Sequence, residues 1–211
     1  MSEDGPDPDK PRRGYHHGNL RKALVDAALR LISRDGPNGF SFADAARAAG
    51  VSPAAPYRHF KDRDALIAEV SRQGFARFAE HLEQAYEKGG PSPMRAFEAV
   101  TAAYLDFARR DPAYFVAMFQ PGAPDEAEVA AEGERAFAVL RRACEGLVRH
   151  LPEAEHPPIH MMSCHIWAMC HGIAELFGQS ETQRRSPIEA AELLEAGTAI
   201  YLRGLGVLDQ A

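Results

Sequence analysis

The chain has 211 residues, 45% of them hydrophobic and 26% charged, with a net charge of −6. That suits one all-helical unit or a small domain joined to a larger one, and the apolar fraction is enough for a sizeable core. No run of about 18 apolar residues is present and the first nine residues are acidic rather than a basic-then-apolar signal, so a soluble cytoplasmic protein is expected. Cys144, Cys164 and Cys170 are odd in number and lack CxxC spacing, which argues against a disulfide framework and for buried thiols. The charge is unevenly placed: residues 10–66 hold eleven Lys and Arg against five acids, a net +6, and the chain from residue 67 onward carries −8. A basic segment fused to an acidic remainder is the footprint of a nucleic-acid reader attached to a body that should not adhere to DNA.

In chain order, Met1 to Pro11 is rich in Asp, Pro and Gly and reads as disordered, part of a tail over 1–14. Arg12, Arg13, Tyr15, His16 and His17 form a basic arm, either a phosphate-reaching segment or a solvated tail. Asn19 is the expected cap of a first helix, in which Leu20, Leu24, Ala27, Ala28 and Leu31 share a face and which Gly36-Pro37 stops. A second helix starts at Ser41, with Asp44 placed for a capping box, and repeats Phe42, Ala45, Ala46 and Ala49 at helical spacing. Gly50 can end it in the left-handed conformation, and Ser52-Pro53 offers a further cap with proline at the first helical position. Two short helices at a tight turn make a helix-turn-helix, which as geometry alone fits a plain α-hairpin equally well. Tyr57, Arg58, His59, Lys61 and Arg63 add hydrogen-bonders and cations that suit phosphate oxygens.

The run VSPAAPYRHFKDRDAL, with the sequence leading back to Tyr15, resembles the TetR family of bacterial transcriptional regulators. That pattern is a Val-Ser, a few variable residues, then Tyr-x-His-Phe and a basic position opening the next helix. The resemblance implies a homodimer that reads double-stranded operator DNA, its basic arm reaching phosphate or the minor groove. The candidate DNA-binding residues are Arg12, Arg13, Tyr15, Ser41, Ser52, Pro53, Ala54, Tyr57, Arg58, His59, Lys61 and Arg63. The chain departs from the pattern at Pro53-Ala-Ala-Pro56, where a polar reader and a branched aliphatic are usual. Pro56 cannot donate to the carbonyl of Ser52 and biases Ala55 away from αR, so the recognition helix should be short or tightened. Its alanines offer base edges no hydrogen bonds, leaving readout to Ser52, Arg58, the arm and DNA shape.

Asp62 caps a long connecting helix from Arg63 to about Lys88, with Leu66, Ile67, Val70, Phe75, Phe78 and Leu82 on its apolar side. Gly74 within it marks either a bend or a close crossing. After the Gly89-Gly90-Pro91 linker, helices are expected over 94–110, over a short segment after Asp111-Pro112, over 126–150, over 159–178 and, capped by Ser186, over 187–204. In the segment from Ile159, the residues Met162, Ile166, Met169, Ile173 and Phe177 share one face with it. His160, Cys164, Trp167, His171 and Ala174 lie on the opposite face at 100° per residue. Trp167-Ala-Met-Cys-His171-Gly172 resembles the Trp-x-x-x-His-Gly pattern of one subgroup of TetR-like C-terminal domains, and DPAYFVAMF resembles that subgroup's short sixth helix.

Three readings of the stripe stand open: a core Trp with a hydrogen-bonded His, a wall of an effector pocket, or a metal site. The pocket reading takes in Tyr104, Phe107, Tyr114, Phe115, Met118, Phe119, Cys164, Trp167 and His171. For the metal reading, His160 and Cys164 have i, i+4 spacing, but His171 sits about 10 Å further along the axis, too far to share an ion. No metal or cofactor is therefore assigned. The small residues Ala190, Ala191, Ala196, Gly197 and Ala199 permit close crossings in the last helix. The family resemblance places the dimer interface on the last two helices, against the alternative of an ordinary core helix.

Together these readings predict an all-α chain of about nine helices. An N-terminal three-helix helix-turn-helix domain over 15–62 is followed by a C-terminal helical ligand-binding and dimerisation domain over 63–211. The function expected is a ligand-responsive regulator, a repressor released from its operator by a small-molecule effector. The alternatives are a DNA-binding regulator without a ligand and a metal- or thiol-sensing one. No G-x-S-x-G, P-loop, H-E-x-x-H or G-x-G-x-x-G is present to support an enzyme.

Overall fold

A computed structural model describes residues 17–120, 127–149, 151–178 and 188–208. Among the described residues there are eight α-helices, two 3-10 segments and no strand, the all-α class that the helical periodicity predicts. The reader is built from α1 (His17–Asp35), α2 (Phe42–Ala48) and a 3-10 turn (Ala55–Arg58). The body follows as α3 (Arg63–Gly89), α4 (Pro93–Arg110), α5 (Pro112–Met118), α6 (Ala127–Val148), a 3-10 segment at Glu153–Glu155, α7 (Ile159–Phe177) and α8 (Ala190–Gly204). The expected disordered tail and the Ser186 cap lie outside the described residues.

Local chemistry sets most boundaries. Ser41 and Asp44 form a reciprocal capping box: Ser41 Oγ accepts from the Asp44 amide at 3.2 Å, and Asp44 Oδ2 accepts from the Ser41 amide at 2.9 Å. Asp62 Oδ1 accepts from the Ala65 amide at 2.9 Å to open α3, and Ser92 with Pro93 opens α4. Two expected caps are corrected. The chain is already helical at His17, so Asn19 lies inside α1; a cap preference is a weak prior against a neighbouring helix former. Ser52 makes no side-chain cap, and the 3-10 turn begins from Ala54. The reason is the proline at position 56: lacking an N–H, it leaves the Ser52 carbonyl to accept from Ala55 at 3.0 Å, an i+3 bond that tightens the segment.

At the end of α2, Gly50 has φ +74, the Val51 amide donates to the Ala46 carbonyl at 3.0 Å and the Gly50 amide to the Arg47 carbonyl at 3.0 Å. A Cβ at Gly50 would meet nothing within 4 Å, so the cost of a side chain here is purely conformational. Gly50→Ala is expected to destabilise the protein by about 1–2 kcal/mol, read as a lower urea midpoint at unchanged m-value.

The 27-residue α3 is the spine. It packs against α1 at its start and against α4, α5 and α6 further along, burying Leu66, Ile67, Val70, Phe75, Phe78, Ala79 and Leu82. One contiguous apolar cluster consequently runs from Leu20 in α1 to Val207 beyond α8. Gly74 marks a crossing rather than a bend, since a Cβ there would lie 2.7 Å from Met118 Cγ on α5. Beside it the buried Ser71 Oγ sits 2.8 Å from the Ala117 carbonyl, meeting one of the acceptors that the end of α5 leaves open.

The rotation of α7 differs from the expected two-faced helix. Its buried residues are Met162, Ser163, Ile166, Cys170 and Ala174, turned toward α4 and α6, while Trp167 and His171 are half-buried beside them. His160 and Cys164 are exposed, and Met169 faces α8, where a Cβ on Gly197 would lie 3.0 Å from its sulfur. Three neighbours and one open side replace the two neighbours that the periodicity implied. Of the cysteines, Cys144 and Cys170 are buried and Cys164 is exposed.

Candidate nucleic-acid interface

The 3-10 turn and the residues around it present one exposed surface. Ser52, Pro53, Ala54, Tyr57, Arg58 and Lys61 are all exposed, with Tyr57 at 62%. The ring of Tyr57 stands edge-on to Phe42 at 5.0 Å between centroids, which anchors the exposed side chain against α2. His59 is half-buried. Pro56 is buried beneath the turn, and its carbonyl accepts from the amides of His59 and Phe60 at 2.9 and 3.0 Å. The surface therefore offers one phenol, an imidazole and two exposed cations on a rigid footing, which suits phosphate contacts more than base readout.

Two of the expected DNA residues are engaged inside the reader. Ser41 is tied into its capping box with Asp44. Arg63 stacks over Phe40 at 4.9 Å and donates from Nε to the Phe40 carbonyl at 2.9 Å and from a terminal nitrogen to the Pro37 carbonyl, so its fork staples the start of α3 to the loop before α2. Arg12, Arg13 and Tyr15 lie outside the described residues. Arg47, which residue patterns did not single out, adds a 78% exposed side chain on α2, 3.2 Å from Asp44.

A second feature that the sequence did not reveal lies where the reader meets the body. Glu69 on α3 is only 9% exposed and accepts from Arg21 of α1 at 3.0 Å, from Arg72 at 3.0 and 3.1 Å and from Gln73 at 2.7 Å. Arg21, Glu69 and Arg72, with His59, Phe60, Lys61 and Glu128, border a cleft of about 180 Å³. Burial pushes the Glu69 carboxyl up, but Arg72, Gln73 and Arg21 outweigh it and hold it at about 2. A carboxyl lower in the folded than in the unfolded chain gives stability that is complete above about pH 4.5 and is lost as the pH falls toward 2. Acid unfolding followed by circular dichroism should show this loss in the wild type and a flatter profile in Glu69→Gln.

Behind the reader, α3, α4, α5, α6 and α7 bring aromatic rings together. Phe78 is the hub, 4.9 Å from Tyr104, 4.9 Å from Phe107 and 5.8 Å from Trp167. Phe115, Phe119 and His171 complete one side, with Phe119 and His171 at 4.4 Å, and Phe137 meets Trp167 at 5.6 Å. Tyr104 Oη lies 3.2 Å from His171 Nδ1. Burial raises the Tyr104 phenol and lowers the His171 imidazole, so a protonated phenol meets a neutral ring. Of the nine expected pocket residues, six join this cluster. Met118 packs at Gly74, and Tyr114 turns to the joint, where its hydroxyl lies 3.4 Å from Gln73 Oε1. Cys164 points outward, its sulfur 3.7 Å from His160 Nε2. Phe78, Phe75 and Phe137 were legible only as apolar positions of their own helices.

Comparison with known proteins bears on both halves. Residues 24–70 match the model of bacterial regulatory proteins of the tetR family, and residues 97–201 match that of the tetracyclin repressor-like C-terminal domain. A curated relative, the uncharacterized HTH-type transcriptional regulator YobS of Bacillus subtilis (strain 168), is 25% identical over 189 residues, covering 89% of this chain and 93% of the relative. A solved protein of unknown function from Rhodococcus sp. RHA1 is 29% identical with a TM-score of 0.74, over 91% of this chain and 98% of its own. The TetR family transcriptional regulator PfmR from Thermus thermophilus shares the fold at 21% identity and a TM-score of 0.67, over 89% of this chain and 99% of its own. Two models of one family, matched in sequence order to the reader and the body of one helical chain, place the protein in the TetR family of DNA-binding transcriptional regulators.

Proposed function

We propose that this regulator is a homodimeric cytoplasmic repressor, released from its operator when a small effector enters the aromatic cluster of its C-terminal domain. The reader spans 15–62 and the body 63–211, with Trp167 and His171 as marks of the Trp-x-x-x-His-Gly subgroup. The observation that carries this reading is the course of α3. Near its start Glu69 pairs with Arg21, which donates to the His59 carbonyl at the exit of the recognition turn, and the same helix supplies Phe75 and Phe78 to the cluster, so a ligand that shifts the rings also shifts the reader. Such an effector lowers operator affinity by its differential affinity for the two arrangements. DNA contact falls to Tyr57, Arg58, His59 and Lys61, with Ser52, Pro53 and Ala54 near the bases and Arg12, Arg13 and Tyr15 as the arm.

Dimerisation through α7 and α8 is supported by Met161, Leu176, Ile188 and Ile200, large apolar side chains 48–69% exposed on or next to these helices. Light scattering at micromolar concentration should report twice the chain mass, and a monomer would remove this part of the proposal. Thermal-shift screening of apolar and cationic compounds, with hits retested for release of operator DNA, checks the effector claim. A screen without hits favours the regulator that works without a ligand. The metal reading has less support, because among the described residues no group of three His, Cys, Asp or Glu is placed to hold an ion.

A further inference from the structure

The recognition turn cannot hold its own shape. It is one 3-10 turn of four residues, without a side-chain cap and with a proline inside it. Segments of that length are not stable alone, so their position must come from tertiary contacts. At the exit of the turn such contacts converge on a single side chain. Arg21 of α1 donates to the His59 carbonyl at 3.3 Å, lies over the Phe60 ring at 4.6 Å and pairs with Glu69 of α3 at 3.0 Å. Glu69 in turn is filled: Oε2 takes Arg21 and Arg72 Nε, and Oε1 takes Arg72 and Gln73. Four bonds meet the acceptor capacity of a carboxylate, and an almost buried one needs them all.

We infer that Arg21 and Glu69 are positioning residues for operator reading: they clamp the exit of the recognition turn between α1 and α3, and sequence discrimination depends on that clamp although neither residue reaches the DNA. Arg21 is 49% exposed, so its pairing with the nearly buried Glu69 is screened on one side and adds little Coulombic energy; what the contact supplies is one fixed arrangement among several. Here the arrangement fixed is the angle at which Tyr57 and Arg58 meet the duplex. Gln73 extends the clamp toward Tyr114 on α5. The inference rests on the DNA-reading role alone and stands with or without an effector.

The test uses the full-length protein, an operator selected by the wild type from random duplexes, and an unrelated duplex of equal length, with anisotropy measured across a salt series. Arg21→Met and Glu69→Gln should each weaken operator binding at least about tenfold while binding to unrelated DNA stays within about twofold, with the slope of log K against log[salt] unchanged. The double variant should lose about as much as the worse single one, since both break one clamp. A merely structural role would lower the melting temperature and leave the ratio of operator to unrelated binding untouched, which would overturn the proposal. An equal loss on both duplexes with a shallower salt slope for Arg21→Met would overturn it too, by making Arg21 a phosphate contact. If Arg21→Met does not fold, Arg21→Lys decides: it keeps the charge but cannot pair, donate and stack at once. A fall of at least about fivefold in its discrimination ratio supports the clamp, and an unchanged ratio refutes it.

Discussion

Lys61→Ala should weaken operator binding about a hundredfold and flatten the salt dependence, whereas Tyr57→Phe should weaken it about tenfold and leave the salt dependence alone. Both residues are exposed on the same surface, but they differ in what leaves the DNA when they bind. A lysine on a phosphate releases condensed counterions, roughly 0.9 per contact, and the proposed two-fold dimer would make each contact twice, so the slope should change by about 1.8. A phenol contributes a neutral hydrogen bond and releases none, and the Phe variant keeps the ring against Phe42. Arg63→Ala is the control. Its guanidinium is taken by the carbonyls of Phe40 and Pro37, so the variant should melt earlier with a wild-type salt slope in the folded fraction. A slope that falls for Arg63→Ala and not for Lys61→Ala would reverse the assignment of the two cations.

Gly89→Ala should be the most damaging conservative change in the body, costing about 3 kcal/mol or more and lowering the melting temperature by roughly 6–12 °C. A Cβ at this position would lie 2.3 Å from Ala96 Cα and 2.6 Å from its amide nitrogen. Backbone cannot swing aside as a side chain end can, so the corner between α3 and α4 would have to open and disturb Phe97, which is 2% exposed. The adjacent Gly90 supplies the comparison. Its φ of +66 with ψ of −149 is a conformation kept almost entirely to glycine and carries a cost of about 1–3 kcal/mol for alanine, yet its Cβ would meet nothing within 4 Å. Thermal melts of the two variants separate steric exclusion from backbone preference, and equal melting temperatures would mean that the corner yields.

What could be read from the sequence is what short range decides. The box of Ser41 and Asp44, the left-handed Gly50, the cap at Asp62 and the tightening at Pro56 each depend on atoms within a few residues, and each was legible. Apolar periodicity likewise supplied the connecting helix and its buried side. The hidden part is long-range. Arg63 counts as a cation in any sequence pattern, and only the folded chain brings it to carbonyls 23 and 26 residues away. Glu69 reads as a polar position in an amphipathic helix until Arg21 arrives from α1. Periodicity also fixes a face without naming its cover, which is why Tyr114 turned to the joint and Cys164 to the outside. Gly89 read as linker, although its lack of a side chain serves the contact with Ala96 rather than freedom of the chain.

The proline that shortens the recognition segment has one more effect, on the unbound molecule. Pro53 on the exposed surface and Pro56 buried beneath it fix φ at two positions of the segment, so with its tertiary contacts in place few conformers compete with the reading one before DNA arrives. Each such restriction spares about 0.4–1 kcal/mol of chain entropy. At this segment association should therefore resemble the docking of a preformed die, so that a variant without the arm shows a heat-capacity change set by the buried area alone, with no signature of the recognition turn folding on contact.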